Sequence, residues 1–386
     1  MHILILSTWF PYPLSQGSKI RAYHLVKALA RHHDVTLISF ADEPVRPEWV
    51  AEMRAFCRRV EVVDRSPFAR SRIRSVLGWA AAMPGALYAG YSREMEALVR
   101  RVAGEEKPDL VLALTVITGL YALKIRGVPK VLDIDNVLSR YLHELYDGER
   151  RPLRKMKAWA AWKKFARFER QAFRQFDTCL VVTAADRERV HQSLGVPLEK
   201  LVVVPNGASP SAEAAPAEPV EPASMVFNGS LAYAANLDAV RSFAGEILPI
   251  IRTRIPGACL RVTGRLSGVP LDWVPADGSV QLTGYLEDVR PHVRRSAACV
   301  VPLRLGAGTR VKILEAMALG TPVVATSKGA EGLEVEAGVH LLVADDPAAF
   351  ADRVCGLLTD PALRERLAAA ALARVRERYD WEQIGE

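Results

Sequence analysis

The sequence has few cysteines and no long hydrophobic run, and both absences exclude classes of protein. Its five cysteines are an odd number, scattered along 386 residues without the paired spacing of a disulfide framework. We therefore expect free, buried thiols in a reducing cytoplasm. The longest apolar stretch, 110–123, is interrupted by threonines and a glycine and is shorter than the roughly 20 residues of a membrane-spanning helix. The first residues show no basic segment and no small-residue cleavage site, so no secretory signal is expected.

Charge is unevenly distributed along a chain whose composition is otherwise globular. Hydrophobic residues make up 50% and charged residues 25%, which excludes a disordered or fibrous chain. Residues 1–207 contain 33 Lys and Arg against 22 Asp and Glu (+11), and residues 208–386 contain 18 against 22 (−4), which sums to the net +7. The basic half predicts an anionic partner, which a phosphorylated ligand, a membrane surface or a nucleic acid would satisfy.

Short β-branched runs alternate with amphipathic segments along the whole chain. The runs are continuously apolar, a pattern typical of parallel strands that are buried on both faces. Helical stretches lie between most of them and complete repeated βα units. The predicted strands are 2–7, 34–40, 60–63, 110–114, 130–134, 178–182 and 201–204 in the first half, and 225–228, 259–263, 280–283, 298–302, 322–325 and 340–343 in the second. The pattern predicts two Rossmann-like α/β domains in tandem.

A segment rich in Pro, Ala and Glu separates the two halves. Residues 208–224 have no large apolar side chain except Val220 and cannot build a core. The predicted parts are therefore an N-terminal domain over 1–207, a linker over 208–224, a C-terminal domain over 225–365, and a C-terminal helix over 366–386 that packs back toward the N-terminal domain. Ligands of parallel α/β domains bind at the carboxyl ends of strands, so the cleft between the domains is the predicted ligand site.

The segment 301–333 combines two glycine loops with two cations and a carboxylate. After a predicted strand, a glycine turn leads into a helix that carries Arg310, Lys312 and Glu315 on its first turns. Two cations beside exposed helical N–H groups suit a diphosphate. A carboxylate one turn further on suits a sugar diol, because it accepts two hydroxyl hydrogen bonds. A single glycine loop favours a plain βα turn, but the second loop at 328–333 makes chance a weaker explanation.

This segment resembles the signature of the retaining glycosyltransferases of family 4. The run LEAMALGTPVVAT at 314–326 carries the resemblance and includes Glu315 at the position of a family glutamate. Further matching segments are VPNG at 204–207, FNGS at 227–230, LPII at 248–251, LRVTG at 260–264 and GY at 284–285. The segments FPYP at 10–13 and GSKIRAYH at 17–24 are similar to exopolysaccharide-associated sugar transferases. The resemblance covers nearly the whole chain.

The resemblance implies the GT-B fold, two Rossmann-like domains that face a central cleft, and an enzyme that takes a nucleotide-diphosphate sugar as donor without a metal or other cofactor. It implies that the base lies near Tyr285, the ribose on Glu315, and the diphosphate on Arg310 and Lys312. The predicted donor-binding residues are Gly17, Gly229, Ser230, Arg265, Tyr285, Gly308, Thr309, Arg310, Lys312, Glu315, Gly332 and Leu333, and the predicted catalytic residues are Arg310, Lys312 and Glu315. Because no pair of residues suggests a nucleophile and a general acid, a front-face mechanism is favoured over double displacement.

Two positions depart from the family pattern. Family 4 commonly has a second glutamate eight positions before Glu315, where this chain has Ala307. An Arg/Lys pair after the first donor-domain strand is replaced by Ser230 and Ala235. The phosphate charge must then be neutralised elsewhere, and the two cations of the segment 301–333 are available. The departures also leave open a GT-B-like scaffold or partner protein of a polysaccharide assembly complex that has lost catalysis.

Weaker candidates lie in the first half of the chain. Asp133, Asp135 and Asn136 follow a predicted strand and could contact the donor or the acceptor; aspartate caps are favoured over a metal site. Arg21 and His24 lie three residues apart on the first predicted helix, where a solvated helix face is favoured over an acceptor contact. Gly17 precedes that helix, which is expected to start near Ser18, and could let N–H groups approach a phosphate, although a plain loop is favoured.

A basic amphipathic helix is predicted over 162–176. Such a helix can lie in an anionic membrane interface, but packing is favoured because Glu169 lies within the apolar arc. Together with the basic residues of 58–74, the helix leaves open a peripheral contact with the inner face of the cell membrane. The acceptor is then a growing polysaccharide or a lipid-linked glycan, and otherwise a small molecule in the cytoplasm. No nucleic-acid motif accompanies the charge, so nucleic acid is not expected.

Overall fold

Each half of the chain forms a parallel sheet covered by helices, which confirms the two predicted Rossmann-like domains. The structure is a computed structural model that describes residues 1–41, 43–68, 83–210, 219–306 and 310–386. The chain divides into two compact units, Met1–Pro205 and Asn206–Ile384. Several residues of the sequence-based predictions lie outside the described residues: Arg70, Arg72, Arg74, residues 211–218 of the linker, Ala307, Gly308 and Thr309.

The first unit contains a seven-stranded parallel sheet in the order β3-β2-β1-β4-β5-β6-β7. Its strands are β1 (His2–Ser7), β2 (Asp34–Phe40), β3 (Arg59–Val63), β4 (Leu110–Leu114), β5 (Lys130–Ile134), β6 (Thr178–Val181) and β7 (Leu201–Val203). Its helices are α1 (Gly17–Ala30), α2 (Pro47–Arg54), α3 (Gly85–Gly90), α4 (Arg93–Glu106), α5 (Val116–Ala122), α6 (Leu138–Gly148), α7 (Pro152–Phe173) and α8 (Ala184–Leu194), with a 3₁₀ turn at Leu198–Lys200. The strand order reverses between β1 and β4, which is where ligands of such sheets bind.

Strand β1 shows why the predicted strands are continuously apolar. Leu4 and Leu6 lie in one hydrophobic core of the first unit, whereas Ile3 and Ile5 lie in a second core. Successive side chains of a strand point to opposite faces, so a strand with a core on each side needs an apolar residue at every position.

The second unit contains a six-stranded parallel sheet in the order β10-β9-β8-β11-β12-β13. Its strands are β8 (Glu221–Asn228), β9 (Cys259–Thr263), β10 (Val280–Gly284), β11 (Ser296–Val301), β12 (Val323–Ala325) and β13 (Leu342–Val343). Its helices are α9 (Ala234–Ser242), α10 (Leu248–Arg254), α11 (Arg290–Arg295), α12 (Val311–Ala318), α13 (Pro347–Thr359), α14 (Pro361–Arg378) and α15 (Trp381–Ile384), and a π-helical turn, Phe243–Ile247, joins α9 to α10. One core cluster serves the whole unit.

Strand β8 begins four residues before the end of the segment 208–224, which the sequence predicts to be a linker. Glu221 opens the strand with ion pairs to Arg261 and Arg295, each 2.9 Å long. Two cations brought by other elements of the unit thus stabilise a strand start whose own sequence, rich in proline and alanine, predicts none.

Helix α14 packs its apolar face on the core of the second unit. Its side chains Leu367, Ala371 and Val375 are buried there at a spacing of four residues. The helix begins after Asp360, whose side chain accepts a hydrogen bond from the backbone N–H of Leu363 at 3.0 Å. The packing of the C-terminal helix toward the first domain stays a prediction.

The cysteines match the expectation from composition, since all five are free thiols and only Cys259 is partly exposed. Over the described ranges of the chain, no helix combines the length and the apolar character needed to cross a bilayer.

Candidate active site

Three neighbouring strands of the second unit end in glycines that let their loops approach one another. The N–H of Gly229, after β8, donates to the carbonyl of Thr263 at 3.0 Å, and the N–H of Gly264, after β9, donates to Gly284 at 2.9 Å. Gly264 has φ +118°, and a Cβ at this position would lie 2.7 Å from the carbonyl carbon of Gly229 and from the N of Ser230. Only glycine permits this approach, so the loops after β8, β9 and β10 are packed together at the carboxyl edge of the sheet.

The ammonium group of Lys312 lies directly against the first of these loops. Lys312 is on the first turn of α12, and its Nζ donates to Oδ1 of Asn236 at 2.9 Å. The same atom lies 3.8 Å from the ring centre of Phe227, and a Cβ on Gly229 would come within 2.7 Å of it. Burial, with a smaller contribution from the neighbouring Arg310, lowers the pKa of the Lys312 ammonium to about 7. Lys312 is partly buried and lies against the loop after β8, where an anion bound at this edge of the sheet would favour its charged form.

Asn236 is a part of the site that the sequence did not predict. It lies on the first turn of α9, is 8% exposed, and donates from Nδ2 to the carbonyl of Ser230 at 2.8 Å. Its other amide atom accepts the bond from Lys312. One side chain thus fixes the loop after β8 and the lysine of α12 in one arrangement. Its only signal in the sequence is a polar residue next to Ala235, where the family pattern leads one to expect a cation.

Glu315 lies one turn after Lys312 on the same helix. Its Oε2 accepts a hydrogen bond from Nδ2 of Asn228, at the end of β8, at 3.1 Å. Burial raises the pKa of the Glu315 carboxyl to about 7, and the charge of Lys312 opposes this rise. A partly buried carboxylate with one oxygen held by an amide can accept hydroxyl hydrogen bonds through its remaining lone pairs.

Arg310 stands at the N-terminal boundary of α12 and is only 7% exposed. A Cβ on Gly306, whose φ is +107°, would lie 3.2 Å from Nη2 of Arg310 and 3.2 Å from the hydroxyl of Tyr233. The structure therefore brings Arg310, Gly306 and Tyr233 together. The predicted N–H groups of Gly308 and Thr309 lie outside the described residues.

Tyr285, which is predicted to lie near the base, and Arg265, a predicted donor-binding residue, form a second contact at the same edge of the sheet. The guanidinium of Arg265 lies 5.3 Å from the ring centre of Tyr285, a cation–π distance. Tyr285 is 41% exposed, so its ring is accessible. The hydroxyl of Ser230 donates to the carbonyl of Arg265 at 3.4 Å, which connects this pair to the loop after β8.

The remaining predicted donor residues lie at two other places. Gly332, with φ +83°, and Leu333 follow β12, and the N–H of Leu333 donates to Ala330 at 3.1 Å while its side chain packs on the core. Gly17 belongs to the first unit, where it is the first residue of α1.

The first unit has its own pocket at the point where its strand order reverses. It is lined by Ser7, Trp9, Ser18, Arg21, Ala22, Leu114, Thr115, Asp133 and Asp135. These residues come from the ends of β1, β4 and β5, or directly after them, and from the first two turns of α1. Asp135 accepts a hydrogen bond from the hydroxyl of Ser18 at 2.8 Å. The pocket is small, with room for about one water molecule, so a hydroxyl-rich ligand would meet its indole ring, hydroxyls and carboxylate at the opening.

Arg21 and Asp133 form a buried ion pair in this pocket, which contradicts two expectations. Nε of Arg21 donates to Oδ2 of Asp133 at 2.8 Å, and Nη2 donates to Oδ1 at 2.6 Å. The prediction of a solvated face for Arg21 is wrong, because the residue is 1% exposed, and Asp133 is an ion-pair partner rather than a helix cap. With both carboxylate oxygens committed to the guanidinium, a metal site at Asp133 and Asp135 is not favoured either.

Two other candidates of the first unit do not join this pair. Asn136 is exposed, and the partly buried His24 ring packs edge-on against Tyr23 at 5.3 Å.

Thr115 has a strained backbone in the same pocket. Its φ is +90°, an unusual value for a β-branched residue, and it immediately follows β4. Its hydroxyl lies 2.6 Å from that of Thr8 and accepts a hydrogen bond from the N–H of Ile117 at 3.2 Å. Strain of this kind costs on the order of 1–3 kcal/mol and concentrates at functional sites. Among the described residues no group of three metal-ligating side chains is found.

Two family models match the chain, one on each side of the unit boundary. The model described as a glycosyl transferase 4-like domain matches residues 16–207. The model described as glycosyl transferases group 1 matches residues 222–360, which include the whole Lys312 cluster.

Curated proteins that resemble the chain include both full-length and local matches. The glycogen synthase of Mycobacterium tuberculosis is 25% identical over 409 residues, covering 100% of this chain and 92% of the relative. An uncharacterized 44.6 kDa protein in the cps region of Klebsiella pneumoniae is 21% identical over 393 residues, covering 99% of this chain and 97% of the relative. The phosphatidyl-myo-inositol mannosyltransferase of Mycobacterium leprae is 45% identical over only 76 residues, 19% and 20% of the two chains.

Solved structures similar to this one share its architecture over nearly the full length. WaaG, a glycosyltransferase involved in lipopolysaccharide biosynthesis, has a TM-score of 0.69 at 15% identity and covers 99% of this chain and 98% of its own. Anabaena Alr3699/HepE in complex with UDP and glucose has a TM-score of 0.68 at 17% identity, and the match covers 100% of this chain and 97% of the Anabaena chain. At these identities the likeness shows the fold, the two-domain α/β architecture called GT-B.

Proposed function

The chain belongs to the glycosyltransferases of family 4, and we propose that it moves a sugar, with retention of anomeric configuration, from a nucleotide-diphosphate sugar to a glycan or lipid-linked acceptor. The observation that carries the proposal is the cluster of Lys312, Asn236 and Glu315 at the carboxyl edge of the second sheet. The Anabaena relative was solved with UDP-glucose, which makes uridine nucleotides the first donors to test.

In this proposal the diphosphate lies over the loop after β8, where the ammonium of Lys312 meets it. The two residues that replace the family's cations, Ser230 and Ala235, cannot neutralise phosphate. The Lys312 ammonium, 2.7 Å from the point where a Cβ on Gly229 would lie, supplies the missing charge at the same loop. Arg310 and the N-terminus of α12 add to the positive potential.

The ribose and base would occupy the two sides of this cluster. Glu315, held by Asn228, would accept the two ribose hydroxyls. The exposed ring of Tyr285 and the adjacent guanidinium of Arg265 would contact the base.

Catalysis would consist mainly of stabilising the departing diphosphate. Negative charge grows on the leaving group as the glycosidic bond breaks, and preorganised cations that face it lower the barrier. Within the described part of the cluster Glu315 is the one carboxylate, and its assignment to the ribose leaves none for a covalent intermediate. This favours a front-face transfer, which retains configuration, and the resemblance to retaining enzymes supports the same outcome.

The acceptor would bind to the first unit, in the pocket at the reversal of strand order. The ring of Trp9 and the carboxylate of Asp135 provide the stacking surface and the hydroxyl acceptor that a sugar ring needs. The WaaG relative acts in lipopolysaccharide biosynthesis, which supports a glycan or a lipid-linked glycan as the acceptor class.

A thermal-shift screen over nucleoside diphosphates and nucleotide sugars tests the proposal. A ligand present at 100 times its Kd stabilises the native state by about 2.7 kcal/mol, which is readily visible as a rise in Tm. We expect nucleoside diphosphates and at least one nucleotide sugar to raise Tm, and nucleoside monophosphates to raise it less. A screen in which no nucleotide stabilises the protein would instead favour a scaffold that has lost donor binding.

A further inference from the structure

The basic helix predicted at 162–176 is the second half of α7, and its apolar face is used internally. Phe165 and Phe173 are buried in the first unit. Glu169, fully buried, accepts hydrogen bonds from the N–H groups of Leu138 and Ser139 at 2.9 and 3.1 Å and so caps the start of α6. The packing interpretation of this segment is confirmed, and its aromatic face is not available to a membrane.

The first half of α7 presents a different set of apolar side chains to solvent. Leu153 is 72% exposed, Met156 60% and Trp159 48%. At about 100° per residue, positions three apart differ by about 60° around a helix, so these three side chains span about 120° and share one face. Trp162, the next member of the series, instead stacks on the His143 ring of α6 at 4.0 Å. The exposed face therefore ends at Trp162, where α7 packs against α6 in the hairpin that the two helices form.

Cations surround this face without acidic residues among them. The segment 150–168 contains eight cations and no Asp or Glu: Arg150, Arg151, Arg154, Lys155, Lys157, Lys163, Lys164 and Arg167. Asp147 and Glu149 lie just before it, so residues 147–168 carry a net charge of 8 − 2 = +6. Six of the eight cations are exposed, and Lys155 and Lys164 are partly buried. Leu145, near the end of α6, adds a further exposed apolar side chain at 38%.

The combination of exposed Leu, Met and Trp with cations distinguishes among partners. A nucleic acid would use the cations but would leave Leu153 and Met156 in water. Protein interfaces are depleted in lysine, which borders this face at Lys155 and Lys157. A bilayer surface uses both components, because tryptophan and aliphatic side chains enter the headgroup and acyl boundary while Lys and Arg reach anionic headgroups.

We propose that the hairpin of α6 and α7 docks the protein on an anionic lipid bilayer through Leu153, Met156, Trp159 and the cations around them. Each cation near an anionic surface strengthens binding about fivefold, and salt screens the attraction within a Debye length. The docking does not depend on the proposed transferase activity. A lipid-linked acceptor would nevertheless be presented at the same surface.

Co-sedimentation of the full chain with vesicles tests this proposal without any donor or acceptor, so its outcome is separate from that of the proposed function. Vesicles of phosphatidylcholine alone are compared with vesicles of equal parts phosphatidylcholine and phosphatidylglycerol, at low and at high salt. We expect binding to the anionic vesicles that weakens with salt. No binding at low salt, or equal binding to both vesicles, would overturn the proposal.

Matched variants locate the surface. Trp159→Ser is compared with Leu271→Ser, which removes a side chain of similar exposure (44%) from the second unit. The pair Arg150→Glu and Arg154→Glu is compared with Arg366→Glu and Arg376→Glu, exposed arginines of α14 that undergo the same charge change. We expect the α7 variants to lose at least tenfold in vesicle affinity and the controls to lose less than twofold, with unchanged Tm throughout. Equal losses in both sets would contradict the assignment.

Two further measurements on the same variants test whether this face binds something other than a bilayer. Size-exclusion chromatography detects self-association, and a column of immobilised single-stranded DNA detects binding to nucleic acid. Self-association of the wild type that Trp159→Ser abolishes would assign the face to a second copy of the chain. Retention on single-stranded DNA that the Arg150→Glu and Arg154→Glu pair abolishes, without vesicle binding, would assign it to nucleic acid. Either result would overturn the proposal.

Discussion

Lys312 Nζ donates a hydrogen bond to Oδ1 of Asn236 at 2.9 Å and thereby joins the first turn of α12 to the first turn of α9. The amide nitrogen of the same asparagine holds the carbonyl of Ser230 at 2.8 Å. Two successive hydrogen bonds thus hold a partly buried ammonium against a loop that has no cation of its own.

Replacing Lys312 by methionine separates its catalytic role from its effect on stability. The lowered pKa of Lys312 means that burial disfavours its charge, so Lys312→Met is expected to keep or raise Tm. Turnover of the donor sugar, measured as release of nucleoside diphosphate, should fall about 100-fold or more, because a group that stabilises the leaving diphosphate is lost. A variant that is stable and as active as the wild type would remove Lys312 from the mechanism.

Asn236→Asp tests whether the asparagine acts by positioning a positive charge. The substitution keeps the shape of the side chain but places a carboxylate beside Lys312, where it neutralises the ammonium and repels the donor diphosphate. Affinity for a nucleotide sugar, measured by isothermal titration calorimetry, should fall about tenfold or more, since close like charges cost over 1 kcal/mol.

The comparison with Asn236→Ala completes this test. Alanine removes both amide bonds without adding charge, so its loss of affinity should be smaller than that of the aspartate variant. Equal losses in the two variants would indicate that only the hydrogen bonds of Asn236 matter.

Donor binding should depend on pH through Lys312. In the free protein the pKa of its ammonium is about 7. A bound diphosphate favours the protonated form and raises this pKa, so binding takes up a proton and weakens as the pH rises above 7, by up to tenfold per pH unit. Calorimetry of a nucleotide sugar in buffers of different ionisation enthalpy measures this uptake. The affinity of the Lys312→Arg variant, which stays charged, should not fall in this way above pH 7, whereas protonation of Glu315 acts below pH 7 in both proteins. A wild type whose affinity does not fall above pH 7 would contradict the assignment.

The same pKa values fix the sign of the effect of pH on folding stability. Between about 7 and the ordinary lysine value of 10.5, the unfolded state binds the Lys312 proton and the native state does not, so this group makes stability rise with pH. Glu315 acts oppositely below pH 7, because between 4.5 and about 7 its proton is bound by the native state alone.

Gly264→Ala should destabilise the second unit and impair donor binding together. Its Cβ would meet the backbone of Gly229 and Ser230 at 2.7 Å, and that backbone cannot move without displacing the loop over Lys312. Gly268→Ala is the control, since Gly268 also has a positive φ, +73°, but no heavy atom lies within 4 Å of its Cβ position. Thermal unfolding should show a larger decrease in Tm for Gly264→Ala than for Gly268→Ala. Nucleotide affinity should fall only in the Gly264→Ala variant.

The parts of the account that the sequence predicted are those encoded by neighbouring residues. Strands buried on both faces are continuously apolar, as Ile3 to Leu6 show, and they were located within a few residues of their observed bounds. Arg310, Lys312 and Glu315 lie within one helical start, so their proximity follows from spacing alone.

The parts that it did not predict depend on contacts between distant segments. Asn236 and Lys312 are 76 residues apart, and Arg21 and Asp133 are 112 residues apart. No local pattern marks either pair, because a single asparagine or arginine on a helix ordinarily faces water. The early start of β8 at Glu221 has the same cause, since its ion pairs come from β9 and from the residue that ends α11.

The affinity of the wild type and of Lys312→Met for a panel of nucleotide sugars, measured by calorimetry, tests the central claim most directly. The account predicts that at least one nucleotide sugar binds the wild type at a single site and binds the variant at least tenfold more weakly. A panel in which no nucleotide sugar binds the wild type, or in which wild type and variant bind equally, would contradict it.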